Sequence, residues 1–178
     1  MNHNSENLLP EAQTQSWTVK LIVSGGQTGV DRAALDWAIQ HNIPHRGWCP
    51  RGRKAEDGRI NDRYNVQETT LDAYAQRTEM NVFDSGGTVI FSLAPYLTGG
   101  SELTRYFAEQ YSKPYLHLHK ACAHPASLLL SFLRQYNIYV LNIAGPRAET
   151  EPEVGTFVTE VLDEAFDFAF HNAVDCHS

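Results

Sequence analysis

The residues best suited to chemistry lie between Ser24 and Arg32, where the sequence reads Ser-Gly-Gly-Gln-Thr-Gly-Val-Asp-Arg. An apolar run precedes this segment and a helical pattern follows it, which predicts a strand-to-helix turn. Such a turn directs free backbone N–H groups and the positive end of a helix dipole at one point, which favours an anion such as phosphate. The candidate ligand contacts in this first turn are Gly25, Gly26, Gln27, Thr28, Gly29, Asp31 and Arg32.

Two phosphate-binding motifs are similar to this turn, and neither matches it. Compared with Gly-x-Gly-x-x-Gly, the turn has Ser24 at the first glycine position and keeps Gly26 and Gly29. It lacks the Gly-Lys-Ser/Thr ending of the P-loop, which disfavours an NTPase. The alternative is a tight turn that binds nothing, but the segment contains more polar groups than a turn requires.

A basic segment follows between residues 46 and 63, with six basic and three acidic residues in a chain of net charge −7. On an acidic protein such a segment favours a small anionic ligand and disfavours nucleic acid as a partner. A solvated loop is the alternative. Arg51 and Arg53 follow the expected second strand, where an NAD enzyme would carry an acid for the ribose. Ordinary NAD binding is therefore disfavoured, and both arginines are candidate anion contacts.

A second glycine-rich turn occupies residues 97–104, after the apolar run at 88–93, and opens a helix with Ser101 as candidate N-cap. If the two turns follow neighbouring parallel strands, they face each other across a switch point, where open α/β sheets bind ligands. This second turn adds Gly99, Gly100, Ser101 and Thr104 to the candidate contacts. Polar residues at the ends of other expected elements add Arg77, Asn81 and Arg147.

The elements that must position these residues alternate along the chain. Apolar runs predict strands at 17–23, 43–49, 88–93, 115–119 and 138–144. Helical spacing predicts helices at 31–41 and 64–78, and the second glycine turn opens a helix that continues to about Tyr111. A fourth helix is expected from Pro125, with a buried face of Leu129, Phe132, Leu133 and Tyr136. A closing helix is expected to bury Val158, Val161, Leu162, Ala165 and Ala169. This alternation predicts a Rossmann-like, doubly wound α/β fold, a three-layer sandwich around a mainly parallel sheet.

Length and composition bound the domain organisation. With 178 residues, 42% of them hydrophobic, we expect one ligand-binding domain at 17–171, a disordered lead-in at 1–16 and an unstructured tail at 172–178. No segment approaches the roughly 18 apolar residues of a membrane span, and the lead-in lacks the pattern of a signal peptide. Three isolated cysteines, Cys49, Cys122 and Cys176, argue against a disulfide framework or a zinc site and indicate a cytoplasmic protein.

One pair of histidines is the only further candidate for metal binding. His117 and His119 point to the same side of an expected strand, because side chains alternate along a strand. No third ligand lies near them in the sequence, so a solvent-facing or strand-end position is favoured and no metal site is predicted.

Together these motifs resemble the molybdenum-cofactor carrier family, within the Rossmann-like SLOG superfamily that also contains the lysine-decarboxylase-like and phosphoribohydrolase proteins. The resemblance runs from about Val19 to Phe157. It rests on the first turn, Cys-Pro-Arg-Gly-Arg at 49–53, Ala-Glu-Asp-Gly at 55–58, Arg-Thr at 77–78, Asn-Val at 81–82, Thr-Gly-Gly-Ser at 98–101 and Leu-Asn-Ile-Ala-Gly-Pro-Arg at 141–147. It implies a homo-oligomeric protein that binds molybdenum cofactor (molybdopterin) or a related nucleotide-like ligand, with a molybdoenzyme as a candidate recipient.

Two departures from the related phosphoribohydrolases bear on mechanism. Those proteins carry Pro-Gly-Gly-x-Gly-Thr-x-x-Glu at the second turn, whereas this chain has Thr98 for the proline, Glu102 and Leu103 for Gly-Thr, and Tyr106 for the glutamate. Hydrolysis by their route is therefore disfavoured. The resemblance also leads us to expect an acid at Gly86, and any polar contact of that acid is missing here.

Three functions follow from these residues. The first is a carrier that binds the cofactor without catalytic residues, with Arg32, Arg51, Arg53 and Arg147 neutralising the ligand and Trp48 as an aromatic wall or a core residue. The second is a nucleotide phosphoribohydrolase, an N-glycosidic hydrolase that uses another carboxylate. The candidate carboxylates for this hydrolase are Asp31, Glu56, Asp57 and Glu102. The third function is a sensor of a nucleotide-derived ligand.

Overall fold

The computed structural model describes residues 19–71 and 73–174, with side chains up to Phe166. The expected lead-in and the start of the expected first strand lie outside the described residues, as does most of the expected tail. Within the described residues, no helix combines the length and the apolar character needed to cross a membrane.

Eight strands occur in the described chain, six of them in one sheet. They are β1 (Leu21–Val23), β2 (His45–Cys49), β3 (Lys54–Ala55), β4 (Gly58–Arg59), β5 (Val66–Glu68), β6 (Gly87–Ser92), β7 (Tyr115–His119) and β8 (Val140–Ala144). The large sheet has the order β5-β2-β1-β8-β6-β7, and every pair in it is parallel. The two short strands β3 and β4 form a separate antiparallel hairpin.

Five helices cover the two faces of this sheet. They are α1 (Val30–Gln40), α2 (Tyr74–Phe83), α3 (Gly99–Gln110), α4 (Pro125–Gln135) and α5 (Val154–Val174). Helices α1, α4 and α5 pack together on one face, and α2 and α3 pack together on the other. The predicted Rossmann-like three-layer sandwich with a parallel sheet is therefore confirmed.

The neighbouring interior strands β6 and β8 show why the two faces differ in polarity. Val89 and Leu141 point to the face covered by α1, α4 and α5 and belong to the main hydrophobic core. Thr88 and Asn142, their neighbours in sequence, point to the other face, where Asn142 Nδ2 donates to Thr88 Oγ1 at 3.2 Å. All four side chains are buried, so the layer beneath α2 and α3 has a partly polar interior.

The position of β8 corrects one expectation about the site. The two glycine turns do not follow neighbouring strands, because β8 lies between β1 and β6. With strands about 4.8 Å apart, the ends of β1 and β6 are about 10 Å apart. Counted from β6 onward and continued through β1, the strand order becomes 2-1-3-4-5-6, which is the flavodoxin-like order with one added edge strand.

The prediction of one helix at 64–78 is wrong. Residues Val66–Glu68 form β5, which pairs in parallel with β2, and the helix that follows is α2, starting only at Tyr74. The supposed apolar stripe is not buried as a unit, since Leu71 is 59% exposed and Tyr74 is 41% exposed. Pairing with β2 and burial of Val66 in a small core cluster outweigh the weak helical pattern.

Three end positions also differ from the sequence prediction. The N-cap of α3 is Thr98, and Ser101 lies buried within the first helical turn. Tyr136 follows the last residue of α4 and is 49% exposed, so it does not belong to the buried face. Helix α5 continues to Val174, three residues beyond His171, where the domain was expected to end.

Candidate functional site

The carboxyl edge of the sheet contains a cleft of about 340 Å³ at the point where the strand order reverses. It brings together residues from the first turn, from the second turn and from the loop after β8. We call this the edge cleft, and its walls are formed by Gln27, Thr98, Gly99, Gly100, Ser101, Gly145, Pro146, Arg147, Glu149 and Thr150. Its volume lies within the range of small-molecule sites, which is about 300–1,000 Å³.

The second turn presents open backbone N–H groups to the edge cleft. The N–H groups of Ser101 and Glu102 donate to the Thr98 carbonyl at 3.1 and 3.4 Å. In the described structure, the N–H groups of Gly99 and Gly100 have no backbone acceptor, as expected for the first residues of a helix. A Cβ at Gly100 would meet nothing within 4 Å. This helix start is therefore open to an anion.

The first turn is already occupied by contacts within the protein. The N–H groups of Thr28 and Val30 donate to Gln27 Oε1 at 3.0 Å and to the Pro146 carbonyl at 3.2 Å. Gly29 has φ +77°, and a Cβ there would lie 2.5 Å from the Pro146 oxygen. Glycine is required at this position because the turn packs directly on the loop after β8. Of the two turns, the second has the more accessible N–H groups.

Arg147 is the basic side chain in the wall of the edge cleft. It follows β8, and its guanidinium carbon lies 5.5 Å from the centre of the Tyr74 ring. The same ring has Arg77 at 5.9 Å, so Tyr74 lies near two guanidinium groups. Glu149, which is exposed, is the carboxylate in the same wall.

An ion pair lies beside the edge cleft in a smaller cavity of about 20 Å³. Arg77 Nη1 is 2.7 Å from Asp31 Oδ2, and their side chains are 16% and 4% exposed. A Cβ at Gly25 would overlap Arg77 Nη1, so this glycine makes room for the pair. This inner cavity is about large enough for one water molecule. Its walls include the predicted Asn81 and Thr104, and also Thr78, Asn142, Ile143, Ala144 and Gly145.

The predicted residues Asn81 and Thr104 have partners within the protein. The Asn81 side chain accepts a hydrogen bond from the Trp48 N–H at 2.7 Å and donates to the Trp48 carbonyl at 3.0 Å. Thr104 Oγ1 donates to the Gly100 carbonyl at 2.9 Å. Asn81 therefore links α2 to β2, whereas the Thr104 bond lies within α3.

The residues from 22 to 166 match a family model described as the circularly permutated YpsA SLOG family. The chain belongs to this family. A crystal structure of a protein named "Putative molybdenum carrier protein", from Syntrophus aciditrophicus SB, is 50% identical in sequence and superposes with a TM-score of 0.80. That match covers 83% of this chain and 94% of the other chain. No curated protein matches the chain. The family description agrees with the strand order, which becomes flavodoxin-like when the chain is read from β6.

The predicted arginines of this SLOG-family chain are divided between the cleft and other places. Arg32 binds Asp57 at 3.1 Å and the Gly26 carbonyl, and Arg51 is exposed outside the cleft walls. Arg53 is buried, and its guanidinium donates to four backbone carbonyls at 2.7–3.1 Å, those of Ile60, Asn61, Tyr64 and Val66. Arg53 thus holds the loop between β4 and β5, and its cationic group does not reach the edge cleft.

The remainder of the basic segment is also engaged with neighbours. Arg59 pairs with Asp62 at 2.9 Å, and Arg63 pairs with Asp36. Arg46 donates to the Asp84 carbonyl at 3.3 Å. The local excess of positive charge in the sequence therefore does not become one cationic surface at the cleft.

The β3–β4 hairpin closes over the first turn through its tip. Thr28 donates its hydroxyl to the Glu56 carboxylate, which also accepts the Glu149 N–H at 3.1 Å. Asp57 pairs with Arg32. The two candidate carboxylates of the hairpin are therefore bound to donors within the protein.

The other candidate carboxylates also have partners. Asp31 is held by Arg77, and Glu102 is paired with Arg105, whose hydrogen bond lowers the pKa of Glu102 from its ordinary value. A general acid or base for neutral pH needs a pKa nearer 7.

Several other sequence candidates lie away from the edge cleft. Trp48 lines a different pocket on the sheet face, where its Nε1 donates to Asp84 at 2.8 Å. Gly86 precedes β6 and lies at the opposite edge of the sheet. His117 accepts or donates a hydrogen bond with Ser92 Oγ at 2.6 Å, and its ring centre is 5.3 Å from that of His119. Among the described residues, no three His, Cys, Asp or Glu side chains are grouped to hold a metal ion.

Some cleft residues were missed in the sequence. Gly145 and Pro146 form the middle of the cleft because β8 lies between β1 and β6. A Gly-Pro pair at the end of an apolar strand was the available signal. Asn142, a polar residue within the same apolar strand, was the corresponding signal for the inner cavity.

Proposed function

We propose that this protein binds a phosphate-bearing, nucleotide-like ligand in the edge cleft and carries it without chemical change, with molybdenum cofactor as the cargo. The observation that carries this proposal is the open start of α3 at Gly99 and Gly100, which shares a 340 Å³ cleft with Arg147. Backbone N–H groups and a guanidinium are the donors that bind phosphate oxygens.

The location supports a nucleotide-like ligand. In open α/β sheets, ligands bind outside the carboxyl ends of the strands where the strand order reverses. Here that point lies between β6 and β8, whose following loops supply Gly99 and Arg147. The Tyr74 ring lies 5.5 Å from the Arg147 guanidinium and helps to hold this cation beside the cleft.

The contacts of the carboxylates favour binding without hydrolysis. Each of the four candidates for acid–base chemistry is held by an arginine or by hydrogen-bond donors of the protein. The position that carries the glutamate in the related phosphoribohydrolases is Tyr106 here, and this side chain is 49% exposed. A carrier needs no free general base.

Molybdenum cofactor is proposed as the cargo because of the relatives. The sequence motifs resemble the cofactor carriers, and the crystal structure at 50% identity carries the name of a molybdenum carrier protein. On the same basis we propose a cytoplasmic homo-oligomer that delivers the cofactor to a molybdoenzyme. Sedimentation of the purified protein measures the oligomeric state.

A retention experiment tests the carrier function. Purified protein is mixed with molybdenum cofactor released from a molybdoenzyme and passed through a gel-filtration column under low oxygen. We expect the cofactor to elute with the protein and to be oxidised more slowly than free cofactor. The control for nonspecific charge effects is the variant Arg134→Ala, which removes an exposed arginine at the end of α4, away from the cleft. This variant should retain the cofactor as the wild type does.

Two other experimental results would support a different function for this protein. Release of free base from nucleoside monophosphates, abolished by substitution of one carboxylate, would establish the hydrolase. Tight binding of a nucleotide with neither turnover nor cofactor retention would establish a sensor or nucleotide-binding protein.

A further inference from the structure

The Gln27 side chain has a defined orientation in the wall of the edge cleft. Its Oε1 accepts the backbone N–H of Thr28 at 3.0 Å and the backbone N–H of Glu56 at 2.9 Å. The reverse orientation of the amide would place the NH₂ group against two N–H donors, with no hydrogen bond possible. The oxygen is therefore committed to the backbone, and the NH₂ group is the end of the amide left for other partners.

That NH₂ group has no hydrogen-bond partner among the described residues. Gln27 is 5% exposed, and its Nε2 is one of the buried side-chain nitrogens without a hydrogen-bond acceptor in the described structure. A buried donor without an acceptor is unfavourable, and most buried polar groups in proteins are paired. Because Gln27 lines the edge cleft, a ligand that enters this wall can supply the missing acceptor.

We propose that Gln27 determines ligand specificity by donating a hydrogen bond from Nε2 to a carbonyl oxygen on the ring system of the bound ligand. This inference rests on the proposed function, because it takes the edge cleft as the binding site. It makes the protein select ring systems with an oxo group over ring systems with an amino group at the corresponding position.

The spacing of the strands that precede the two turns favours an acceptor on the ring over one on the phosphate. Gln27 follows β1, whereas the open N–H groups at Gly99 and Gly100 follow β6. Two strand spacings separate these strands, about 10 Å. One phosphate group is too small to bridge this distance. A ligand with its phosphate at α3 extends its ring toward Gln27.

The β3–β4 hairpin acts as the positioning element for this donor. Its tip supplies the Glu56 N–H that holds Oε1, and the Glu56 carboxylate fixes the tip to Thr28 and to the Glu149 N–H. The Nε2 atom is closed to solvent, so a ligand must displace neighbouring groups of the wall to reach it.

The variant Gln27→Glu provides the sharpest test. A carboxylate keeps an oxygen for the two backbone N–H groups and replaces the donor by an acceptor, with almost no change in shape. Inosine and adenosine 5′-monophosphates are the probes, because the first carries a 6-oxo group and the second a 6-amino group. The control is Gln135→Glu, the same change of charge at an exposed position in α4.

We expect the wild type and Gln135→Glu to bind inosine monophosphate about tenfold more tightly than adenosine monophosphate, as for one buried hydrogen bond. Gln27→Glu should lose or reverse this preference and retain less molybdenum cofactor than the wild type. Equal affinity of the wild type for the two nucleotides would overturn the inference. So would unchanged preference in Gln27→Glu or, where the wild type retains the cofactor, unchanged cofactor retention in Gln27→Glu.

A second measurement keeps the test valid if Gln27→Glu fails to fold. In ¹⁵N-labelled wild type, the Gln27 side-chain NH₂ signals should move on addition of inosine monophosphate and less on addition of adenosine monophosphate. Signals that respond equally would overturn the inference. An oxo preference without cofactor retention would refute the carrier function and leave the inference standing. Cofactor retention together with Gln27 signals that do not respond to the nucleotides would refute the inference and leave the carrier function standing.

Discussion

Arg77 Nη1 and Asp31 Oδ2 lie 2.7 Å apart between α2 and the start of α1, in side chains that are 16% and 4% exposed. This ion pair connects the first turn to the helix on the opposite layer of the sandwich. Removal of one partner from a buried pair leaves a charge without compensation, which is more costly than loss of a surface pair.

We therefore expect Asp31→Asn to lower the free energy of unfolding by about 3 kcal/mol. The double variant Asp31→Asn/Arg77→Met should recover part of this loss, because the unpaired charge is removed. Urea denaturation measures the free energy of unfolding of the wild type, Asp31→Asn and the double variant. The control is Glu160→Gln, whose partner Lys120 is exposed, and we expect a change within about 0.5 kcal/mol. Equal losses in Asp31→Asn and Glu160→Gln would contradict the prediction.

Two glycines at the cleft should respond to alanine in opposite ways. Gly29→Ala places a side chain at φ +77° and 2.5 Å from the Pro146 oxygen, so we expect a loss of about 2 kcal/mol in stability. Gly100→Ala has open space around its Cβ and lies in the first turn of α3, so stability should stay within about 0.5 kcal/mol. The added methyl group should still weaken cofactor retention, because it enters the edge cleft. Thermal unfolding and gel filtration test both statements, and a stable Gly29→Ala variant would count against the packed turn.

The arginines in and outside the cleft form a matched pair for binding. From the sequence alone, Arg51→Ala is expected to weaken anion binding with little loss of stability. The structure places Arg147 in the cleft wall and Arg51 outside it. We now expect Arg147→Ala to weaken nucleotide binding about tenfold, whereas Arg51→Ala should change it less than twofold. Isothermal titration with inosine monophosphate measures both, and the opposite order would restore the basic segment to the site.

Stability should fall on mild acidification because of His117. Burial, and secondarily the neighbouring His119, lower the pKa of His117 from its ordinary value. As the pH falls below about 6.5, the unfolded chain takes up this proton before the folded protein does, so the free energy of unfolding decreases. His117→Gln cannot titrate and keeps a polar group for Ser92. We expect a flatter dependence on pH between about 7 and 5 in this variant. Urea denaturation at several pH values measures the slopes, and identical slopes would contradict the assignment.

The sequence alone identified the class of fold and most of the local structure. Apolar runs indicated β6, β7 and β8, and helical spacing indicated α1, α4 and α5, because periodicity follows directly from the geometry of each element. The short strand β5 was missed. Its three residues carry too little pattern, and it exists because β2 offers a free edge for pairing.

The sequence also predicted some of the residues that line the candidate site. Both glycine turns and Arg147 were recognised, since glycines at strand ends and a following basic residue are local signals. Arg53 was placed among the candidate ligand contacts, because a sequence shows that an arginine is charged and not which acceptors surround it. In the folded chain, four carbonyls of one loop surround its guanidinium.

Only the tertiary structure decided how the pieces meet. The order of parallel strands depends on how the crossovers pack, so the insertion of β8 between β1 and β6 could not be read from local patterns. That insertion sets the distance between the two turns and makes the loop at Gly145 the middle of the cleft. It also leaves the amide of Gln27 held at one end and unpaired at the other. The sequence determined which chemical groups are available, and the long-range packing determined which of them remain free to bind.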